Sequence, residues 1–334
     1  MGHEVRRAAL AAALLFHCTQ PAWSADAPES MRPDRASGIG VVGDPAAAIA
    51  GNAVEVLGTD DSDGFRSARL RAGVLVDYKT AYDFVAIGVG GTRYEQHGWS
   101  ADRYTLGAAV KKIERGTGAG LLATGGLSEV GDSLKAFLDA TWNVRLSQTT
   151  GVELIGQRDF VETRAGLEAG TMTNFAGASV DYTATERLTL IGLGALQYFS
   201  DDVRRWHLRG RVIYAVLPEE GLSVQLRARG YESSRSGGTL YFNPENYAQA
   251  DIGLRLRRSL GDWRVFAAAG VGRENIDRHN EEPTRYLEAR AERSFANNLW
   301  LVLQYVVDYS STSDASTSGH YTWHYLRGAV IFPF

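Results

Sequence analysis

Hydrophobic and polar positions alternate along most of this chain. In residues 134–145, Leu134, Ala136, Leu138, Ala140, Trp142 and Val144 fall on one side at period two. Lys135, Asp139, Thr141, Asn143 and Arg145 fall on the other, with Phe137 the one exception. Such a strand needs lipid or a packed sheet against its first face and water against its second. The pattern recurs in residues 68–77, 206–216, 222–231, 252–257 and 301–309 and blurs in 188–199, where Ile191 and Leu193 land on the polar side. From residue 50 onward no segment carries a convincing helical period, and the spacing of turn residues predicts about sixteen strands. Taking residues 25–49 as a periplasmic leader, the turns at 79–83, 114–118, 147–150, 183–187, 218–221, 259–262 and 295–298 fall on the periplasmic side. The connections at 97–103, 163–170, 233–246, 277–283 and 310–319 fall on the other side and are generally longer and more polar. The fold class expected is all-β, a transmembrane antiparallel up-and-down β-barrel of about sixteen strands over residues 50–334.

The end of the chain supports this reading. At period two, Leu326, Gly328, Val330, Phe332 and the terminal Phe334 share a face, and Trp323, Tyr325 and Arg327 share the other. A chain end this apolar suits lipid better than water. The segment resembles the closing strand of bacterial outer-membrane barrels. That resemblance implies that Leu326, Val330, Phe332 and Phe334 are read by barrel-assembly machinery. Aromatic residues gather where two membrane interfaces are expected: Trp142, Tyr182, Tyr214, Trp263 and Trp300 near short turns, and Trp99, Tyr104, Tyr198, Trp206, Tyr309 and Tyr321 near long connections.

Composition is consistent with this picture and narrows it. The 334 residues carry a net charge of −4, with 37 Gly, 15 Tyr and 7 Trp, which suits a curved sheet with aromatic girdles and gives no reason to expect nucleic acid. Arg6 and Arg7 precede the apolar run 8–16, and Ala22-Trp23-Ser24 supplies small residues at a cleavage site, so residues 1–24 read as an export signal. The single cysteine, Cys18, lies inside that segment, leaving a mature chain without thiol chemistry. The expected localisation is the bacterial outer membrane, with lipid around the barrel.

Candidate chemistry concentrates on three consecutive strands. Arg209 and Arg211, Arg227 and Arg229, and Arg255 and Arg257 each sit two apart opposite the apolar face, so all six are expected to enter the lumen as a basic wall that attracts anions. Equally open is pairing with the lumen acids Asp139, Glu153, Asp251, Glu288 and Glu292; Arg290 lies on the same inner path. The loop around Tyr241, Phe242 and Tyr247 is a candidate platform for sugar rings or an inward-folded plug, with an aromatic girdle as the alternative. His320, His324 and Ser223 have no neighbours that would make a hydrolase. The acidic run 60–64 lacks the later ligands of a calcium loop and reads as a hairpin turn. The glycines of 87–91 and 267–272 belong to strands and form no nucleotide loop. No metal or cofactor is expected, and no enzymatic activity.

Tyr241-Phe242-Asn243-Pro244-Glu245-Asn246-Tyr247, the strand 248–258, the short turn to Trp263 and the glycine-spaced 265–272 resemble the C-terminal barrel of outer-membrane exopolysaccharide-export porins of the cellulose and poly-N-acetylglucosamine type. The likeness is strongest over about residues 231–334. It implies a barrel that conducts polysaccharide outward as a passive conduit. Members of that family carry a tetratricopeptide superhelix before the barrel, and this sequence has no such repeats. The resemblance therefore implies a separate periplasmic repeat protein for polymer capture and an inner-membrane synthase for the driving force. A general or substrate-specific diffusion porin for small anionic solutes, and a lipid-modifying or structural surface barrel, are the alternatives.

Overall fold

The computed structural model describes residues 50–114, 116–238, 240–278, 281–295, 299–311 and 320–334. The expected export signal at 1–24, the leader at 25–49 and most of the connection 310–319 lie outside the described residues. Sixteen strands follow in order: β1 (Gly51–Asp61), β2 (Arg66–Thr80), β3 (Asp83–Gln96), β4 (Trp99–Ile113), β5 (Gly120–Val130), β6 (Ser133–Arg145), β7 (Thr150–Phe160) and β8 (Met172–Thr183). The second half comprises β9 (Leu188–Phe199), β10 (Arg204–Leu217), β11 (Leu222–Ser233), β12 (Asn246–Leu260), β13 (Trp263–Ile276), β14 (Glu282–Ser294), β15 (Trp300–Ser311) and β16 (His320–Pro333). Each pairs antiparallel with its sequence neighbours, and β1 also pairs β16, from Gly51 opposite Pro333 to Asp61 opposite Trp323. The sheet is thus a closed cylinder without a free edge, the condition under which strands satisfy their backbone in lipid.

Alternation sorts side chains between two environments. Leu70, Ile87, Val89, Leu106, Leu138, Leu208, Leu254, Val271 and Leu326 are exposed on the outside, forming an apolar belt. Trp142, Tyr182 and Tyr214 edge it at one end, with Tyr104, Tyr198 and Trp206 at the other. No helix among the described residues is long and apolar enough to cross a membrane.

Three sequence expectations need correction. The connection expected at 97–103 is only the turn His97-Gly98, both residues at positive φ (45° and 82°), and β4 resumes at Trp99. Several outer turns are equally short, such as 131–132 between β5 and β6; the long described connections are 161–171 and 234–245. Trp99, Trp300 and Tyr321 leave the expected girdles. Trp300 is packed with Leu75, Tyr78 and Val302 inside one end, and Tyr321 with Phe65, Tyr94 and Trp323 inside the other, with Trp99 against that second cluster.

The blurred strand acquires a clear assignment. β9 is regular, with Leu190, Leu196 and Tyr198 outward and Ile191, Leu193, Ala195 and Phe199 buried inside. Leu193 and Ala195 pack there on Ile155 and Phe175, so part of the inner wall is apolar. The acidic run 60–64 is the expected hairpin turn: Asp61 Oδ1 accepts from the Asp63 and Phe65 amides, both at 2.9 Å, and Gly64 takes φ 75°.

Leu254 lies mid-strand on the outer belt, 57% exposed. Leu254→Arg is expected to destabilise the membrane-inserted barrel by about 2–4 kcal/mol, read from urea unfolding in lipid vesicles, because the charge is forced toward the bilayer centre. An unchanged midpoint would place this face away from lipid.

Candidate functional site in the barrel lumen

The strand parity that sends Leu208 and Leu254 outward sends all six candidate arginines inward. In register, Arg209 lies opposite Arg229 and Arg211 opposite Arg227. Like charges facing each other across neighbouring strands repel, so this arrangement needs anions. Asp251, almost fully buried, supplies one: it is 3.3 Å from Arg227 Nη2 and accepts from Thr284 Oγ1 at 2.7 Å and from Gln249 Nε2 at 2.9 Å. Gln249 Oε1 in turn accepts from Arg229 Nε and the Tyr247 hydroxyl, each at 2.6 Å. The wall therefore combines both sequence readings, with pairing at Arg227 and like-charge opposition beside it.

Glycines shape the neighbouring surface. Tyr286 lies flat against Gly253 and Gly270, where a Cβ would fall 2.2 Å from its hydroxyl and 2.4 Å from its ring. That close approach lets Gln225 donate to the Tyr286 hydroxyl at 2.7 Å and seats the Arg227 guanidinium 3.7 Å from the ring centroid. Arg255 sits over Phe266 at 5.3 Å. Arg257 lies opposite Phe266 in register.

Glu288 stands beside the wall: it accepts from Gln304 at 3.3 Å and interacts electrostatically with Arg211 and Arg227. The other acids are dispersed. Glu292 binds Arg264 at 2.8 Å and the expected path residue Arg290 at 3.0 Å. Asp139 and Glu153 stand on β6 and β7 opposite Gln157 and Asn143, a quarter of the way round the barrel from the basic wall.

The outer mouth is bridged by two connections. In 161–171, Thr163 Oγ1 caps a one-turn helix, α1 (Arg164–Glu168), by accepting from Gly166 N at 2.9 Å. Leu167 is buried in the cluster formed by Phe65, Tyr94, Tyr321 and Trp323, which belong to the far side of the mouth. Glu162 Oε1 receives Arg69 Nη2 at 2.6 Å, the Tyr94 hydroxyl at 2.8 Å and Arg103 Nη1 at 3.3 Å, donors from β2, β3 and β4. In 234–245, Tyr241 stacks on Phe199 with centroids 4.1 Å apart, packed also on Val161 and Val203. Its hydroxyl donates to Asp201 at 2.9 Å, and burial together with the Asp201 charge pushes the phenol well above its usual range, keeping the proton in place. Thr163 Oγ1 donates to the Leu240 carbonyl and joins the two connections.

Arg205, 1% exposed, anchors the second connection. It donates to the Phe242 carbonyl at 3.0 Å, Asn243 Oδ1 at 3.1 Å and Ser233 Oγ at 3.1 Å, and lies 4.4 Å from the Tyr231 ring centroid. The three rings expected as one platform thus divide. Tyr241 joins Phe199, whereas Tyr247 stacks on Tyr231 at 5.0 Å with Phe242 packed beside them. The connection packs its rings against Phe199, Tyr231 and Ile276 and offers no single open ring surface.

The periplasmic end carries a smaller bridge that the sequence did not reveal. Tyr82, in the two-residue turn between β2 and β3, accepts a hydrogen bond from Arg264 of β13, a strand that is not its sheet neighbour. Lys111 Nζ lies 4.7 Å from the Tyr82 ring centroid and 5.3 Å from that of Trp300. Arg264 is held from behind by Glu292.

No protein-family model and no curated protein matches the chain. Among solved structures, one described as a bacterial polysaccharide outer membrane secretin matches with TM-score 0.62 and 16% identity, over 85% of this chain and 98% of that one. OprD from Pseudomonas aeruginosa matches with TM-score 0.42 and 8% identity (88% and 96% covered), and OccAB2 from Acinetobacter baumannii with 0.42 and 6% (85% and 98% covered). At these identities the likeness concerns the fold. The chain shares the fold of a closed β-barrel, with both ends of its cylinder bridged by its own connections.

Replacing Arg205 by Ala removes the charged donors that hold 234–245, each worth about 1.5–3 kcal/mol. Amide hydrogen exchange in that connection should accelerate at least about tenfold while the strands stay protected. Unchanged exchange would show that the Tyr241–Phe199 stack alone holds it.

Proposed function

We propose that this pore carries a polysaccharide outward across the outer membrane as a passive conduit, with 161–171 and 234–245 governing the exit. The observation that carries this reading is the interleaving of guanidinium groups and aromatic rings down one inner wall. Arg205 and Tyr231 lie near the mouth, Arg229 5.6 Å from the Tyr247 centroid below them, and Arg227 on Tyr286 beside these. Sugar rings present apolar C–H faces that rest on aromatic rings and edge groups that accept from forked donors. Once 234–245 is drawn away from Arg205, Tyr231 and Tyr247, a ladder of both would let a chain exchange its hydration for wall contacts step by step, provided no step binds tightly. The fold shared with a barrel described as a polysaccharide secretin supports the same reading.

Accompanying partners follow from what the chain would need. A separate periplasmic repeat protein would capture polymer, an inner-membrane synthase would push it, and the apolar face of Leu326, Val330, Phe332 and Phe334 would be presented to the assembly machinery. A second reading, a selective pore for small anionic solutes, is favoured by the opposed pairs Arg209–Arg229 and Arg211–Arg227, which would concentrate any anion.

A strain lacking this protein is expected to keep synthesising polysaccharide while secretion falls, measured as polymer in the medium. Undiminished secretion overturns the export reading, and a growth defect on small organic acids would replace it. In planar bilayers, the triple variant Arg209→Glu, Arg227→Glu, Arg255→Glu is expected to turn anion preference into cation preference in reversal-potential measurements. Unchanged selectivity would mean that the wall's charge is neutralised within the protein.

A further inference from the structure

The most fully built polar site in the lumen lies at the outer mouth, away from the basic wall. Arg69 on β2, Thr92 on β3 and Arg103 on β4 form one register row, and Tyr94 stands two residues along β3. Arg69 Nε donates to Thr92 Oγ1 at 3.2 Å. Arg103 is fixed more firmly still: Nε donates to Ser128 Oγ at 2.6 Å, Nη2 meets Asp159 at 2.6 Å, and the guanidinium lies 5.9 Å and 5.5 Å from the Phe137 and Phe160 centroids. Three donors on three consecutive strands therefore converge on one point, and each is positioned by the sheet itself. The carboxylate at that point, Glu162, is different in kind. It comes from the connection 161–171, which can leave without breaking a single strand pairing.

We infer that the Arg69–Tyr94–Arg103 cradle is a carboxylate-binding subsite of the pore, occupied in this conformation by the protein's own Glu162 and available to the carboxylate of an acidic sugar once 161–171 moves aside. Charge explains why the two events are coupled. With Glu162 withdrawn, Arg69 loses its direct ion pair and keeps only the more distant Glu55, which Arg71 and Arg327 already share, while Arg103 keeps Asp159; a cation left undercompensated in a largely buried place is unfavourable. The connection can therefore depart cheaply only when another anion replaces Glu162. The arriving ligand supplies the carboxylate and thereby stabilises the open arrangement, as a ligand must in order to shift a two-state equilibrium. Two of the donors are forked guanidiniums, which match the planar geometry of a carboxylate. The cradle thus assigns an acidic character to the sugar that passes. The sugar part of this assignment rests on the transport reading above; the exchange of one carboxylate for another does not.

The test uses the purified pore in planar bilayers, with glucuronate, an oligomer of uronic acid and a neutral glucose oligomer as probes. The wild-type pore should stay mostly closed and open on addition of uronate at the outer side, with the neutral oligomer having no effect. Glu162→Gln should open without ligand, its open probability rising about tenfold or more. It should also retain the uronate oligomer longer, seen as lengthened blocking events, because self-competition is gone. Glu162→Asp, which keeps the charge on a shorter stem, should fall between the two and serves where Glu162→Gln assembles poorly. Opening by the oligomer alone identifies a polymer segment as the ligand, and equal opening by monomeric glucuronate identifies a small acid; both outcomes support the cradle. A Glu162→Gln pore that is as closed as wild type and equally indifferent to uronate overturns it, making Glu162 a fixed anchor. That failure leaves export measured in the deletion strain untouched, so the two readings fall separately.

Discussion

The pairing of β1 with β16 is the interaction on which everything else in this protein rests. In hydrocarbon an unpaired N–H or C=O costs several kcal/mol, so a sheet with two margins would expose two rows of such groups to lipid. Eleven consecutive register partners between Gly51 and Asp61 on one side and Pro333 and Trp323 on the other remove both rows at once. The terminal residue takes part as well, since Phe334 N donates to the Ala50 carbonyl at 3.0 Å.

Closure also decides the chemistry inside. Once the cylinder is shut, every second residue is committed to the lumen, and a one-residue slip of any strand would exchange its lumen and lipid faces. Arg209 cannot avoid Arg229, nor Arg211 Arg227, because the register that buries their neighbours in lipid sets them opposite one another. Arg227 and Arg229 are held sideways, through Asp251, Gln249 and the ring of Tyr286.

The fold was legible in the sequence because lipid outside and water inside impose opposite demands on adjacent residues. Strand number, the closing strand and the inward course of the arginines all follow from period two. Legibility failed where the lumen is not wet. Ile191 and Leu193 blur their strand because the inner wall there is apolar: both are buried, and Leu193 packs on Ile155 and Phe175. Trp300 and Tyr321 were assigned to interfaces for the same reason: an aromatic near a strand end reads alike whether it faces a membrane or a plug. Glu162, Arg205 and Tyr82 carried no local signal at all. Their roles come from partners many residues away.

The two bridges are built differently from the barrel that they span, and this difference separates what is permanent from what can move. Barrel strands are joined by continuous ladders, so no strand can leave without exposing backbone to lipid. The bridges hold by side chains: Glu162 on Arg69, Tyr94 and Arg103 at the outer mouth, together with Arg205 and a small apolar cluster around Tyr241, and Tyr82 on Arg264 at the opposite end. Side-chain contacts of this kind exchange readily for equivalent groups on a ligand, because a carboxylate or hydroxyl from outside presents the same atoms as the one displaced. A pore that opened by the exchange proposed above would need no hinge in the barrel and no energy source of its own. It would need only a cargo whose polar groups resemble those of the bridges it displaced.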